Sequence, residues 1–248
     1  MKKNIFEGEN CRERVRFIAH RGFTPSAPEN TLASFEEAGK RGFWAIETDV
    51  HKTLDGKLVC CHDSNTLKMY GEDLVIEETS LSDLQKLRVI RGNNADVIDT
   101  DLLRMPLFSE YIEICQRYGA VPFLESKGSV EVVGDIMAYL EKTDMIDSSV
   151  FSSIQLDHIW AAADISNSIF LHHIFSSRDN LDAFGKRGSF GLSYNYPDIS
   201  KVPDGLIEET HCAGVRVCLR AGDTEEKCMR MLDMKLDYIP TNKISSLS

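Results

Sequence analysis

The sequence predicts an α/β protein whose eight parallel strands close into a (β/α)8 TIM barrel. Short apolar runs alternate with amphipathic stretches along most of the chain, which is the pattern of parallel strands joined by crossover helices. Eight such strands are the number that closes a barrel. An open, doubly wound sheet is the alternative, but no G-x-G-x-x-G motif follows the first strand, as a dinucleotide-binding sheet of that kind would require.

Each predicted strand is a short apolar run, and each predicted helix is the amphipathic stretch between two such runs. The strands cover residues 15–20, 44–50, 121–127, 149–154, 168–175, 189–194, 215–220 and 237–241. The helices cover residues 31–41, 107–118, 130–142, 155–165, 177–187, 204–213 and 224–235. Asn30 or Thr31 is expected to cap the first helix, and Gly42 is expected to end it.

The length and composition indicate one globular domain that spans residues 1–248. The net charge of −11 argues against nucleic acid and anionic membrane surfaces as partners, but it permits a small phosphate ligand, because local cations or a metal can offset it.

The seven cysteines form no C-x-x-C pair, which favours a reducing compartment. With no apolar signal segment and no membrane-spanning run, we expect a cytoplasmic protein, although a removed leader would leave the same sequence. The oligomeric state does not follow from the sequence.

A ninth apolar run, residues 57–62, interrupts the alternation. It follows the second strand too closely for a crossover helix, so we expect an antiparallel hairpin with a two-residue turn at Asp55-Gly56. In that register His62 lies opposite Asp49, with Glu47 on the same face. We therefore predict that the hairpin brings a histidine to a pair of carboxylates. The alternative is a surface hairpin without a site.

Residues 64–106 show weak periodicity and contain one short helical stretch, TSLSDLQKLR. A segment of this length is unusual as a plain loop inside a compact domain. We interpret it as a small insertion or lid.

Three carboxylates stand at the outgoing ends of predicted strands, where barrels of this class have their chemistry. Glu47 and Asp49 share one face of the second strand, and Glu125 is on the third. Like charges this close raise one another's pKa unless a cation neutralises them. An all-oxygen set suits Mg²⁺ or Ca²⁺ better than zinc, so we predict a divalent metal site. The alternative is a set of separate salt bridges with Arg21 and Lys127.

Two histidines are expected to flank these carboxylates. His20 ends the first strand and His62 ends the hairpin strand, and imidazoles suit one proton donor and one proton acceptor. The sequence does not assign the acid and the base. The remaining histidines are interpreted as structural; they are His51, His158, His172, His173 and His211.

Neighbouring residues are candidates for supporting or binding roles. Arg21 and Lys127 would contact a phosphate, Arg21 through a planar fork and Lys127 as a point charge. Glu29 and Asn30 would orient His20 or Arg21, or else cap the first helix, and we favour capping for Asn30. Asp63 would orient His62 or simply end the strand. Together the groups predict an enzyme that acts on a small phosphodiester.

The ordered motifs resemble those of the glycerophosphodiester phosphodiesterases, a family of phospholipase C-like enzymes. They are HRG, APENTLASFEEA, E-x-D, DGKLVCCHD, FLESK and VFSSI, with a looser likeness at IEETHCAGVRV, and they extend from about Val15 to Asn242. The resemblance implies a TIM barrel that hydrolyses glycerophosphodiesters to sn-glycerol 3-phosphate and an alcohol, in some relatives through a cyclic phosphate. It also implies a divalent metal on Glu47, Asp49 and Glu125, acid–base roles for His20 and His62, and phosphate contacts from Arg21 and Lys127.

Three positions depart from the family pattern. The family has Trp-Thr-Val-Asn where this chain has Cys218-Leu219-Arg220-Ala221, and it has Thr-Asp where this chain has Thr241-Asn242. An arginine common after the HD motif is replaced near Lys68-Met69. All three affect the substrate wall more than the metal or the histidines. Arg220 would supply a cation toward a more anionic substrate, or else point to solvent.

Two other hypotheses about the function remain open. A phosphodiesterase for another headgroup, such as a lysophospholipid or a polyol-phosphate polymer, would be favoured by a hydrophobic lid in residues 64–106 and by a substrate wall without tryptophan. A non-catalytic barrel that binds a phosphate ligand is disfavoured, because both histidines and all three carboxylates are present.

Overall fold

The computed structural model describes residue 5, residues 16–219 and residues 221–246. Its strands are β1 (Phe17–Ala19), β2 (Ala45–Lys52), β3 (Leu58–Cys60), β4 (Val121–Ser126), β5 (Val150–Ser153), β6 (Phe170–His173), β7 (Phe190–Ser193), β8 (Arg216–Cys218) and β9 (Ile239–Thr241). All but β3 run parallel, in the order β8-β7-β6-β5-β4-β2-β1-β9. The eight parallel strands form a nearly closed barrel, so the predicted fold class is confirmed.

The seam of the barrel lies between β8 and β9, at opposite ends of the strand order. The backbone N–H of Asp237 donates to the carbonyl of Val217 at 3.0 Å. The Val217 N–H donates in return to the Asp237 carboxylate at 2.8 Å, and Arg216 donates to the other oxygen at 2.9 Å. A side chain therefore completes the closure that backbone ladders provide elsewhere in the barrel.

The crossover helices occupy the predicted stretches, with ends that differ by a few residues. The described helices are α1 (Leu32–Lys40), α2 (Leu67–Tyr70), α3 (Leu81–Leu84), α4 (Phe108–Tyr118), α5 (Glu131–Lys142), α6 (Leu156–Ile165), α7 (Leu181–Arg187), α8 (Leu206–Cys212) and α9 (Glu225–Asp233). Short 3-10 turns cover Ile76–Glu78, Thr100–Leu103, Ile146–Ser148, Arg178–Asn180 and Ile199–Lys201. None of the helices in the described part of the chain is long and apolar enough to cross a membrane.

The two-residue period of the strands explains why polar side chains gather at one end of the barrel. A buried apolar cluster fills the interior; it contains Ile18, Ala45, Phe123, Val150, Phe170, Cys218 and Tyr238. Alternate residues of a strand share a face. The next inward position after Ala45 is therefore Glu47, and the next after Phe123 is Glu125. The apolar layer therefore lies directly below the polar residues, which are nearer the carboxyl ends of the strands.

The hairpin forms as predicted, but its register differs by one residue. Val50 pairs with Cys60, whereas the predicted two-residue turn would pair it with Cys61. The cause is a three-residue loop closed by the Thr53 N–H, which donates to the Lys57 carbonyl at 2.8 Å. Gly56 adopts a left-handed conformation (φ 74°), as the last residue of such a loop requires. The predicted register was wrong, and His62 lies beyond the end of β3 instead of opposite Asp49.

Residues 64–106 build a small core of their own on the hairpin. Their buried apolar side chains cluster with Val59 and Cys61 at the β3 end; they are Tyr70, Ile76, Leu84, Leu87, Val89, Leu103 and Met105. Asn93 and Asn94 tie the segment to the barrel rim by donating to the carbonyls of Thr24 and Ser26 at 2.8 and 3.0 Å. The insertion is thus packed against both the hairpin and the loop after β1. Its function as a lid stays a prediction.

Candidate active site

A cavity of about 620 Å³ opens at the carboxyl ends of the parallel strands. Six of the seven predicted site residues line it: His20, Arg21, Glu47, His62, Glu125 and Lys127. The seventh, Asp49, is fully buried beside them. The structure therefore brings the predicted set together at one rim of the barrel.

The three carboxylates converge because β2 and β4 are neighbours in register. Asp49 is the pairing partner of Glu125 across the two strands, and Glu47 precedes Asp49 on the same face. Each residue offers one carboxylate oxygen, and these atoms lie within 4.8 Å of one another. The three carboxylates therefore share one site, in which Asp49 and Glu125 also form salt bridges with the neighbouring cations.

Two cations lie among the carboxylates and offset only part of their charge. The Lys127 ammonium is 3.0 Å from Asp49 Oδ1 and also contacts Glu125, and Arg21 Nε is 3.4 Å from Asp49 Oδ2. When all three are ionised, three carboxylates against two cations leave one formal negative charge. Burial and the charge of Asp49 raise the pKa of Glu47 well above its usual value. Burial alone would raise the pKa of Asp49 as well, but Lys127 and Arg21 together lower it.

The donor set fits a hard divalent cation. All three side chains offer oxygen, which Mg²⁺ and Ca²⁺ prefer, and their ionised forms would outnumber the two neighbouring cations. Asp49 Oδ1 is buried and receives no well-directed hydrogen bond, although the Lys127 ammonium lies near it. Glu125, whose pKa is raised by burial and by Asp49, would be stabilised as a carboxylate by the same cation.

A tight turn after β1 places the first histidine and the arginine. Arg21 and Gly22 both have left-handed backbones, with φ of 59° and 83°. A Cβ on Gly22 would lie 2.4 Å from the Ser34 hydroxyl oxygen on α1, so only glycine fits there. The turn lets the Arg21 N–H donate to the Glu47 carboxylate at 2.7 Å. The Arg21 guanidinium in turn donates to Glu29 at 3.1 Å.

Asn30 supports the carboxylate of Asp49, contrary to the capping role that the sequence favours. Its amide NH₂ donates to Asp49 at 2.9 Å, and its amide oxygen accepts from the Thr48 hydroxyl at 2.8 Å. Thr31 is the actual cap of α1, since its hydroxyl accepts from the Ser34 N–H at 3.1 Å. The Ser34 hydroxyl accepts in return from the Thr31 N–H at 3.2 Å, so the helix start is satisfied without Asn30, whose side chain faces β2 instead.

His20 belongs to a hydrogen-bonded chain that the sequence did not predict. Its Nδ1 lies 2.8 Å from the amide oxygen of Asn242, which follows β9. The Asn242 NH₂ donates to Asp223 Oδ2 at 2.9 Å, and its backbone N–H donates to Asp223 Oδ1 at 2.7 Å. Burial, together with the neighbouring charge of Arg21, lowers the pKa of His20. A neutral amide is therefore the direct partner of this ring.

His62 has a charged partner instead. Its Nδ1 is 2.6 Å from the carboxylate of Asp63, which supports the orienting role for that residue. Lys68 lies on the far side of this pair, 4.0 Å from Asp63 and 3.3 Å from Glu29. A cation thus stands in the region where the family more commonly has arginine.

Part of the cavity wall away from the carboxylates is apolar. It is formed by Ile154, Ile174, Phe175, Pro197 and Leu219 at the ends of β5 to β8. Ile154 is 49% exposed and Phe175 is 42% exposed, and Phe175 has a left-handed backbone (φ 57°). Cys218, at the position of the family's tryptophan, is buried in the barrel interior. Arg220 lies outside the described residues.

His172 lines the floor of the cavity as a neutral residue. Its Nδ1 is 2.6 Å from the hydroxyl of Tyr238, and burial lowers its pKa to about 3. The ring is held between Tyr238 and Phe123. These contacts support the structural role predicted for His172.

A comparison with protein families matches residues 20–246 of the chain to the glycerophosphoryl diester phosphodiesterase family. The chain belongs to this family. The match covers the whole candidate site, from His20 to Asn242. It also agrees with the resemblance that the ordered motifs carry.

Curated relatives carry the same family name at moderate identity. Bovine glycerophosphodiester phosphodiesterase 1 is 27% identical over 190 residues, which is 72% of this chain and 57% of that protein. A glycerophosphodiester phosphodiesterase of Bacillus altitudinis is 33% identical over 122 residues, 47% of this chain and 46% of that protein. The chain therefore spans little more than half the length of the bovine relative.

Solved structures of the family share the fold over nearly the entire chain. A phosphodiesterase of Oleispira antarctica, solved with the product sn-glycerol-3-phosphate, has a TM-score of 0.81 at 24% identity and covers 93% of this chain and 94% of its own. The glycerophosphodiester phosphodiesterase of Thermotoga maritima has a TM-score of 0.75 at 19% identity, with 94% and 97% covered. At these identities the likeness establishes a common barrel.

The contacts of Asn30 generate a stability prediction. Asn30→Ala removes the donor to Asp49 and the acceptor for the Thr48 hydroxyl, which should lower the free energy of unfolding by about 1–3 kcal/mol, and backbone strain in alanine should lower it by about 1 kcal/mol more. Urea denaturation measures this change. Asn30→Gly is the matched control, because it also removes the amide but tolerates the left-handed backbone (φ 51°). It should be more stable than Asn30→Ala by about 1 kcal/mol. An alanine variant as stable as the wild type would contradict the bridging role.

Proposed function

We propose that this protein is a metal-dependent phosphodiesterase that hydrolyses a glycerophosphodiester to sn-glycerol 3-phosphate and an alcohol. The observation that carries the proposal is the convergence of Glu47, Asp49 and Glu125 beside two histidines, in a chain of this family. The product bound to the Oleispira relative supports the choice of product.

We propose that Glu47, Asp49 and Glu125 hold Mg²⁺ or Ca²⁺. A divalent cation there would offset the excess negative charge and polarise the phosphoryl oxygens of the substrate. Arg21 and Lys127 supply further positive charge at the same rim, where both line the cavity. Arg21 suits a phosphate through its planar fork, and Lys127 suits it as a compact charge.

The ring partners support an assignment of the general acid and the general base. The carboxylate of Asp63 attracts the positive charge of a protonated His62, so His62 suits the acid. His20 faces a neutral amide and carries a lowered pKa, so it suits the base. His20 then takes a proton from the attacking water molecule while the water oxygen bonds to phosphorus. The bond from phosphorus to the leaving oxygen breaks, and His62 donates a proton to that oxygen.

The same proposal includes the size of the substrate, the role of the insertion and the cellular compartment. The substrate is a small molecule, and the insertion of residues 64–106 acts as a lid within a single barrel domain. The six cysteines of the described residues are free thiols, five of them buried, which supports a reducing, cytoplasmic setting.

Release of glycerol 3-phosphate tests the proposed reaction. With Mg²⁺ or Ca²⁺, the purified protein should release it from glycerophosphocholine or glycerophosphoethanolamine, and EDTA should abolish the release. Glu47→Gln should weaken metal binding and lower kcat together, because one ligand charge is lost. His20→Ala should lower kcat by roughly 10²–10⁴-fold, as loss of a general base does.

The matched control is Glu208→Gln, because Glu208 is an exposed acid on α8, far from the cavity lining. It should leave both metal binding and kcat unchanged. Hydrolysis that survives EDTA would remove the metal from the mechanism. Unchanged activity in Glu47→Gln would remove Glu47 from the ligand set.

The choice of leaving group tests the acid. His62→Ala should slow hydrolysis of alkyl diesters much more than that of bis(p-nitrophenyl) phosphate, because p-nitrophenolate leaves without a proton. Steady-state kcat for both substrates measures the difference. Equal losses on the two substrates would identify His62 as the base and reverse the assignment.

A second candidate substrate class is favoured by the apolar wall. Ile154 and Phe175 are large, partly exposed apolar side chains at the mouth of a cavity whose other side is charged. A phosphodiester with an acyl chain, such as a lysophospholipid, would place its charged and apolar parts against matching walls. The two candidates share the chemistry at phosphorus and differ in what contacts this wall.

Substitution of Phe175 separates the two substrate classes. If the lysophospholipid is the substrate, Phe175→Ser should lower kcat/KM for lysophosphatidylcholine by about 10-fold, because an apolar contact is lost. The value for glycerophosphocholine should not change. Ile165→Ser is the control, since Ile165 is as exposed but lies on α6 outside the cavity lining. No turnover of lysophosphatidylcholine by the wild type would eliminate this candidate.

A further inference from the structure

The proposed base and two further side chains form a hydrogen-bonded chain across the seam of the barrel. His20 follows β1, Asn242 follows β9 and Asp223 follows β8, and these strand ends are neighbours around the ring. The loop that carries Asp223 is anchored to β9, because the Gly222 N–H donates to the Pro240 carbonyl at 2.8 Å. A Cβ on Gly222 would lie 2.9 Å from the Cys228 sulfur, so the close approach depends on glycine.

The hydrogen-bonding capacities of these groups permit only one arrangement. The backbone N–H of Asn242 can only donate, and it fixes Oδ1 of Asp223 as its acceptor at 2.7 Å. The second carboxylate oxygen of Asp223 can also only accept, so the Asn242 NH₂ turns toward it, at 2.9 Å. The Asn242 amide oxygen is then left facing His20 Nδ1 at 2.8 Å. Because that oxygen only accepts, Nδ1 must carry the ring proton.

We propose that Asp223 is a positioning residue, which sets the tautomer of His20 by fixing the orientation of the Asn242 amide. A neutral imidazole has one N–H, so a proton on Nδ1 leaves Nε2 with a free lone pair. The structure gives Nε2 no hydrogen-bond partner among the described residues, and the ring lines the cavity. The unprotonated Nε2 is the form that a general base needs. The tautomer follows from the contacts alone, and only its catalytic consequence rests on the proposed function.

A charge-removing substitution of nearly the same shape tests the orientation. In Asp223→Asn the oxygen of residue 223 must still face the Asn242 N–H, so its NH₂ faces the Asn242 side chain. The Asn242 amide then turns its oxygen toward residue 223 and its NH₂ toward His20. His20 Nδ1 becomes the acceptor, and the ring proton moves to Nε2. The tautomer should therefore invert.

A double substitution should restore the original tautomer. In Asp223→Asn with Asn242→Asp, the NH₂ of residue 223 donates to one carboxylate oxygen of residue 242. The other carboxylate oxygen accepts from His20, which places the proton on Nδ1 again. A loss of packing would not be reversed by exchanging the two side chains. The rescue therefore distinguishes positioning from a merely structural role.

The ¹⁵N chemical shifts of the labelled histidine rings report the tautomer directly, at alkaline pH where imidazole is neutral. The His20 signals are assigned by their absence in His20→Ala. We expect Nδ1–H in the wild type, Nε2–H in Asp223→Asn and Nδ1–H in the double variant. In parallel, kcat should fall by roughly 10²–10⁴-fold in Asp223→Asn with little change in KM, and should recover in the double variant. Asp233→Asn, an exposed position on α9, should change neither readout.

An Nε2–H tautomer in the wild type would overturn the proposal, even if Asp223→Asn did not fold. Retention of Nδ1–H in a folded Asp223→Asn would overturn it as well. A tautomer that inverts while the wild type hydrolyses no diester would support the positioning role and would contradict the proposed function instead. The NMR spectrum therefore tests the positioning role and the activity assay tests the proposed function, and either result can be negative without the other.

Discussion

The repulsion among three carboxylates at one rim of the barrel is the constraint on which the site depends. Glu47, Asp49 and Glu125 are brought within reach of one another by two adjacent strands, where a barrel would otherwise place apolar side chains. Their charges are held there by Lys127 and Arg21 and by the amide of Asn30. When all three are ionised, these contacts leave one negative charge without a partner cation, and that charge is what suits the rim to a divalent cation.

Much of the fold and of the site's location could be predicted from the sequence because both follow from periodicity. The alternation of apolar runs and helices predicts the barrel, and the two-residue period places Glu47 above Ala45 and Glu125 above Phe123. The same period, continued from Tyr238 through Pro240, also reaches Asn242. This was the available signal for the partner of His20, and it is weaker because β9 is short.

The features that the sequence did not predict depend on which of two similar groups forms a contact, or on residues that only the closed barrel brings together. Asn30 and Thr31 can each cap a helix, and only the folded backbone decides that Thr31 does so. The hairpin turn at Asp55-Gly56 fits loops of two or three residues, and the bond from Thr53 to Lys57 selects the longer one. Asp223 is far from His20 in the chain, so its part in the hydrogen-bonded chain appears only when the barrel closes.

The closure between β8 and β9 has a consequence for how the protein tolerates mutation. Neighbouring strands elsewhere are joined by backbone groups, which every residue carries, so those junctions survive most changes of side chain. Between Val217 and Asp237 one of the two bonds belongs to a carboxylate. A single nucleotide change can erase it, and the proposed base is held by residues on both sides of that junction. Inherited variation should therefore be purged more strictly at Asp237 than at partly buried acids that lie away from both this junction and the candidate site.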